Sequence, residues 1–183
     1  PFDMLSIAIL LQNAPLKRTN QMIQSLLHHF GKPVSFDNRL IYLWFTPESI
    51  DSTTTGFLKD ECRLGYRASY LKSIASSIIQ GYDLKSLRFL PTPEAKEKLM
   101  ELKGIGGYSA EMVLLDMRHY DVFPVDAWSV QLYWNVYLSE IMPLSKQDAL
   151  AKARAHAETY WGEWMGLVWT YIVYGVELGE IHV

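Results

Sequence analysis

The sequence predicts an all-α protein, built as one domain or as two small subdomains sharing a cleft. Three observations predict it. Apolar residues recur at helical spacing through most of the chain, as in Met22, Ile23, Leu26, Leu27 and Phe30. The periodic segments run about ten to fifteen residues and are joined by short loops marked with Gly or Pro. No segment alternates apolar and polar residues as a half-buried strand would. A length of 183 residues, 49% of them hydrophobic, is enough for a substantial core.

The elements follow in order. Residues 3–12 predict a short apolar helix. Residues 16–30 predict a second, stopped by Gly31 and Pro33. Residues 34–42 read as irregular. Pro47-Glu48 opens the next segment, and Ser52 to Thr55 offers a hydroxyl cap for residues 55–62. Residues 67–80 repeat Tyr70, Leu71, Ile74 and Ile78 and stop at Gly81. Pro93-Glu94 places proline in the first turn of a helix over 93–101. A glycine hairpin then leads into residues 107–118. Residues 126–138 form the next helix, which Pro143 separates from residues 145–159, and a very apolar helix covers 163–178.

The net charge of −3 does not advertise a nucleic-acid binder, yet local patches matter more than the total. Lys17-Arg18 is one basic cluster, and Lys59, Arg63, Arg67 and Lys72 form another. Six Trp and eleven Tyr exceed the needs of a small core, so some are expected to line a pocket. The single cysteine, Cys62, excludes an intrachain disulfide, a Cys-rich zinc site and a four-cysteine iron–sulfur cluster. An intracellular, reducing compartment is the natural reading. No apolar run reaches the roughly eighteen residues of a membrane span. The start, Pro1-Phe2-Asp3, reads as a trimmed chain, and an upstream domain is expected to be missing. The histidines show no metal-ligand spacing. Lys96, Glu97, Lys98 and Glu101 read as a solvated face.

The richest stretch is residues 102–126. Leu102-Lys103-Gly104-Ile105-Gly106-Gly107 forms a hairpin that opens into an apolar helix. Glycine removes the Cβ atoms that block close approach and permits positive φ. The amides of a helix's first turn can then hold a phosphate without a cationic side chain. Asp126 follows Phe-Pro-Val and precedes Ala-Trp-Ser, where an N-cap belongs. Negative charge is favoured at that helix end. A carboxylate in a cleft can stabilise a sugar cation, as in glycoside hydrolysis.

These residues resemble the helix-hairpin-helix superfamily of base-excision DNA glycosylases. The branch without an iron–sulfur cluster, holding 3-methyladenine DNA glycosylase II and 8-oxoguanine DNA glycosylase, is the most similar. The match rests on Leu102 to Gly106 and on Val125-Asp126. It is supported by Ile9-Leu10-Leu11-Gln12-Asn13, Leu64-Gly65-Tyr66-Arg67-Ala68, and Trp161-Gly162-Glu163-Trp164 with the helix after it. The resemblance implies two helical subdomains with the active-site cleft between them. Residues 16–118 would form a barrel containing the helix-hairpin-helix. Residues 1–15 with 119–183 would form the second subdomain, carrying the acid. It further implies Asp126 as the catalytic acid, and phosphate contacts from the amides of Gly104, Gly106, Tyr108 and Ser109. Gln12 and Tyr66 would enter the gap left by a flipped base, while Arg67 and Lys17 would face the orphaned partner. No cofactor is required. A structural K+ or Na+ can sit on the carbonyls of Met100, Leu102 and Ile105. The partner would be double-stranded DNA with a flipped damaged base, and the protein a monomer.

One departure is informative. Bifunctional members carry a lysine where this chain has Tyr108, and a phenol cannot form a Schiff base. A monofunctional enzyme is therefore expected. A flipped base is sandwiched by aromatic faces. Tyr108, Met112, Trp128 and Trp169 are the candidates by motif position. This apolar aromatic slot suits a cationic alkylated purine such as 3-methyladenine by stacking and cation–π attraction. A mismatch thymine or uracil glycosylase, an 8-oxoguanine enzyme, and a non-catalytic DNA-binding module remain open.

Overall fold

The computed structural model describes residues 1–138 and 145–180, and the break expected at Pro143 lies outside them. Helices dominate, and the chain separates into two compact units, residues 1–113 and the residues from Leu114 onward.

The first unit opens with α1 (Phe2–Leu11) and α2 (Leu16–Phe30). Leu10 from α1 shares a core with Met22 and Leu26 from α2, so residues 1–15 pack with the barrel rather than with the C-terminal half. Gly31 then lets the chain turn back closely. A Cβ there would lie 2.4 Å from the Leu27 carbonyl oxygen and 2.7 Å from that of Leu43.

Residues 34–42, read as irregular, form an antiparallel hairpin instead. Strands β1 (Pro33–Phe36) and β2 (Arg39–Tyr42) pair Val34 with Ile41 and Ser35 with Leu40. The turn is Asp37-Asn38, with φ of +48° and +56°, the backbone of a two-residue hairpin turn that suits Asp and Asn. Almost every residue of the pair is exposed, so no face was under pressure to become apolar while the other stayed polar.

Helices α3 (Pro47–Asp51), α4 (Thr55–Asp60), α5 (Arg67–Ile79) and α6 (Thr92–Met100) complete this unit. Thr46 and Thr54 cap α3 and α4 through their hydroxyls. Ile50, Leu58, Leu64 and Leu71 fill the core with Cys62. Burial pushes the Cys62 thiol up, which suits a packed rather than a reactive cysteine. Helix α7 (Gly107–Asp116) begins in this unit.

The second unit holds α8 (Ala127–Tyr137), α9 (Lys146–Trp161) and α10 (Met165–Glu177). Its core is aromatic: Phe123, Tyr133, Trp134 and Trp169 pack against Ala149, Ala153 and Ala157. The three alanines lie four residues apart on one stripe of α9, and their small side chains leave room for the rings. Gly166, at the start of α10, donates its amide to the Tyr120 carbonyl at 2.8 Å. A Cβ at Gly166 would lie 2.4 Å from the Val122 carbonyl oxygen, so only glycine admits this approach. Among the described residues, no helix is long and apolar enough to cross a membrane.

Candidate functional site

The candidate residues fall into two sets, one in each unit. In the first unit the glycine hairpin lies between α6 and α7. The Ile105 amide donates to the Leu102 carbonyl at 3.0 Å, and Gly104 turns the chain with φ of +89°. Tyr70 lies directly against this glycine, 2.5 Å from where a Cβ would stand. The Ala110 amide donates to the Gly106 carbonyl at 2.9 Å. The amides of the turn before it point out of the helix end, as at any helix N-terminus. Helices α6 and α7 are also tied by an ion pair, Lys96 Nζ to Glu111 Oε1 at 2.6 Å, with Glu111 buried. Lys96 is therefore not part of a plain solvated face; its partner lies fifteen residues away on a different helix.

The end of α1 meets this hairpin. Gln12 Nε2 donates to the Gly104 carbonyl at 2.7 Å, and reaches Ser109 Oγ at 3.5 Å. The side chain expected to enter the duplex is thus turned onto the hairpin. The residues that stand out are its neighbour Asn13, at φ +48°, and Tyr66, 47% exposed. Asn13 Nδ2 donates to the Tyr66 hydroxyl at 3.3 Å. Asn13 belongs to the Ile9–Asn13 motif quoted above, in which only Gln12 was singled out. An asparagine just past a helix end, where left-handed backbone is tolerated, was the available signal.

Arg67 is 8% exposed, and its guanidinium donates to the carbonyls of Gln12 and Leu64. It stacks on the Tyr66 ring with its carbon 4.6 Å from the centroid. These contacts order the loop between Leu64 and the start of α5. Lys17 is exposed on the first turn of α2.

In the second unit Asp126 is the N-cap of α8. Its Oδ1 accepts the Ser129 amide at 2.8 Å and the Ser129 hydroxyl at 2.9 Å. The Ser129 Oγ in turn accepts the Asp126 amide at 2.8 Å. The preceding loop is anchored by the buried side chains of Phe123 and Val125, by Arg154 donating to the Phe123 carbonyl at 3.2 Å, and by the close approach of Gly166 to Tyr120 and Val122. The result is an exposed carboxylate on a fixed backbone. Two residues on, Trp128 is 55% exposed at the same helix end. Burying that ring would be favourable by roughly 2 kcal/mol or more, so its exposure is an unusual cost for a helix start.

Of the other candidate stacking residues, Tyr108 is exposed and Met112 half-buried. Trp169 is not available. It is 2% exposed and wedged between Phe123 and Tyr133, with ring centroids 5.8 and 5.3 Å away. Trp169 is core, and has no face to offer a base. A cavity of about 280 Å³ in this unit is lined by Arg118, His119, Tyr120, Asp121, Glu163 and Trp164, and a second of about 230 Å³ by Tyr137, His156, Tyr160 and Trp161. Asp126 and Trp128 line neither. Among the described residues, no group of His, Cys, Asp and Glu side chains could hold a metal ion. The hairpin carbonyls of Met100, Leu102 and Ile105 are oxygen donors of the kind a hard monovalent cation takes.

No family model matches the chain. A probable N-glycosylase/DNA lyase of Methanothermobacter thermautotrophicus is 24% identical over 147 residues, covering 70% of this chain and 47% of that protein. The chain therefore spans about half the length of this curated relative. The 8-oxoguanine glycosylase/lyase of Clostridium acetobutylicum, solved with double-stranded DNA, is 25% identical with a TM-score of 0.82, over 99% of this chain and 61% of that one. A 3-methyladenine DNA glycosylase from Archaeoglobus fulgidus is 24% identical with a TM-score of 0.78, over 98% and 60%. With a glycine hairpin at Leu102 to Gly106 followed by the capping acid Asp126, this chain is similar in fold and motif order to the helix-hairpin-helix base-excision DNA glycosylases.

Proposed function

We propose that this protein is a monofunctional DNA N-glycosylase that removes a damaged base, an alkylated purine such as 3-methyladenine, from double-stranded DNA. The observation that carries this reading is Asp126. It is exposed, held by a reciprocal cap, and sits two residues from a half-exposed tryptophan. A module that only bound DNA would need neither the acid nor the ring.

In this reading the amides of Gly104, Gly106, Tyr108 and Ser109 hold a phosphate, which needs no net positive charge on the protein. Asn13 and Tyr66 probe the stack. The base turns out of the duplex and stacks on an exposed aromatic face such as that of Trp128. The glycosidic bond stretches and positive charge grows on the deoxyribose. Asp126 stabilises that charge and orients the attacking water. A methylated purine cation leaves without protonation, so a single carboxylate suffices. A monovalent cation on the carbonyls of Met100, Leu102 and Ile105 would add positive potential near the phosphate. Tyr108 supplies no amine, so the product is an abasic site on an intact strand.

Duplexes carrying alkylated, oxidised or deaminated bases, followed by hot alkali, test the reading. Cleavage after alkali only, on the alkylated duplex, is expected. A borohydride-trapped protein–DNA adduct would overturn the monofunctional assignment. Excision of 8-oxoguanine is the second reading, favoured by Gly65-Tyr66-Arg67 and by the likeness to the clostridial enzyme. A product from the oxidised duplex alone would establish it.

A further inference from the structure

We propose that Gln12 is a positioning residue that braces the glycine hairpin against the end of α1, so that probe and phosphate clamp act as one unit. The proposal rests on the DNA-binding reading above and deepens it.

The contacts form a closed circuit. The Gln12 side chain donates to the Gly104 carbonyl at 2.7 Å. Gly104 lies under the Tyr70 ring. Tyr70 meets the Tyr66 ring edge-on at 5.7 Å between centroids. The Tyr66 hydroxyl returns to the Gln12 carbonyl at 3.2 Å, and Arg67 Nε donates to the same oxygen at 3.0 Å. Asn13 hangs on this circuit through Tyr66. Residues 92 apart in sequence are joined by one side-chain amide.

Gln12 suits the task chemically. The hairpin must turn its amides outward to meet a phosphate, which leaves the Gly104 carbonyl facing the protein. Only a donor can satisfy that oxygen. The amide of glutamine supplies one without adding charge beneath the clamp. Were Gln12 instead a wedge in the DNA stack, it would have to abandon a partly buried carbonyl, and that unsatisfied oxygen would offset the benefit of stacking on the bases.

The Gln12→Met variant keeps the side chain's length and removes the donor. Affinity is measured for an undamaged duplex and for a duplex carrying an abasic analogue, beside Asn13→Ala. A brace predicts that Gln12→Met weakens both duplexes by the same factor, about three- to tenfold for one lost hydrogen bond, with KM rising and kcat nearly constant. Asn13→Ala should act mainly on the damaged duplex. Loss confined to damaged DNA in Gln12→Met would make Gln12 a wedge and overturn the proposal. Amide hydrogen exchange in the free protein gives a second readout. Exchange at Gly106 to Ala110 should quicken in Gln12→Met, and unchanged exchange would also overturn it. If wild-type protein binds neither duplex, the DNA-binding reading fails, and the exchange measurement still decides the brace.

Discussion

Asp126 serves both as a helix cap and as the proposed catalytic group, and ordinary substitutions separate the two roles. Asparagine caps a helix about as well as aspartate. Asp126→Asn should therefore keep its thermal midpoint while base release falls by at least about a hundredfold; a denaturation curve beside single-turnover excision checks both halves. Ser129→Ala works from the other side. It keeps the backbone amide that donates to Asp126 but removes the hydroxyl that both donates to the carboxylate and accepts the Asp126 amide. A loss of about 1 kcal/mol in stability is expected, with kcat falling more than KM changes. Tyr108 and Trp128 could be picked out in the sequence by position alone, one where a lysine is expected and one two residues after the capping acid. Trp169 was misplaced, because a tryptophan in an apolar helix fits a slot and a core equally well until its neighbours Phe123 and Tyr133 are known.

At the scale of elements, Gly166 fixes where the segment leading to Asp126 runs. Gly166→Ala would drive a methyl to 2.4 Å from the Val122 carbonyl oxygen. Backbone cannot yield as a flexible side chain does, so a destabilisation of about 1–3 kcal/mol is expected, together with lower excision, measurable by urea titration and steady-state kinetics. The Lys96–Glu111 pair ties the helices on either side of the hairpin. Lys96→Met removes the cation that lies against a buried carboxylate. Because Lys96 is one-third exposed, the cost should fall below the roughly 3–5 kcal/mol usual for a broken buried pair, at about 2–3 kcal/mol. These elements also show what a sequence does and does not carry. Helices α2, α5 and α6 were readable because periodicity and terminal Gly or Pro agree. The β1–β2 hairpin was not, since its signal sat in two turn residues rather than in a pattern along the strands. The Lys96–Glu111 pair and the Gln12–Gly104 bond were hidden for another reason: both join residues that only the fold brings together.

For the whole molecule, alkali is the informative variable. Burial first, and the charge of Glu101 second, push the Tyr82 phenol up to about 12 from its ordinary 10, while its hydroxyl donates to the Lys98 carbonyl at 2.7 Å. A phenol held protonated in the folded state contributes fully below pH 10, and its contribution falls away as the pH rises toward 12. Burial shifts Tyr133 and Tyr137 in the same direction. Stability should therefore decline progressively above about pH 10, and Tyr82→Phe should flatten part of that decline in a series of chemical denaturations. The β1–β2 hairpin has a different bearing on the molecule in solution. Phe36, Leu40 and Ile41 are 68%, 63% and 45% exposed on a ribbon only two strands wide. Greasy side chains beside open hydrogen-bonding edges invite sticking between copies as concentration rises, so a lysine in place of Leu40 should keep concentrated stocks clear without touching catalysis.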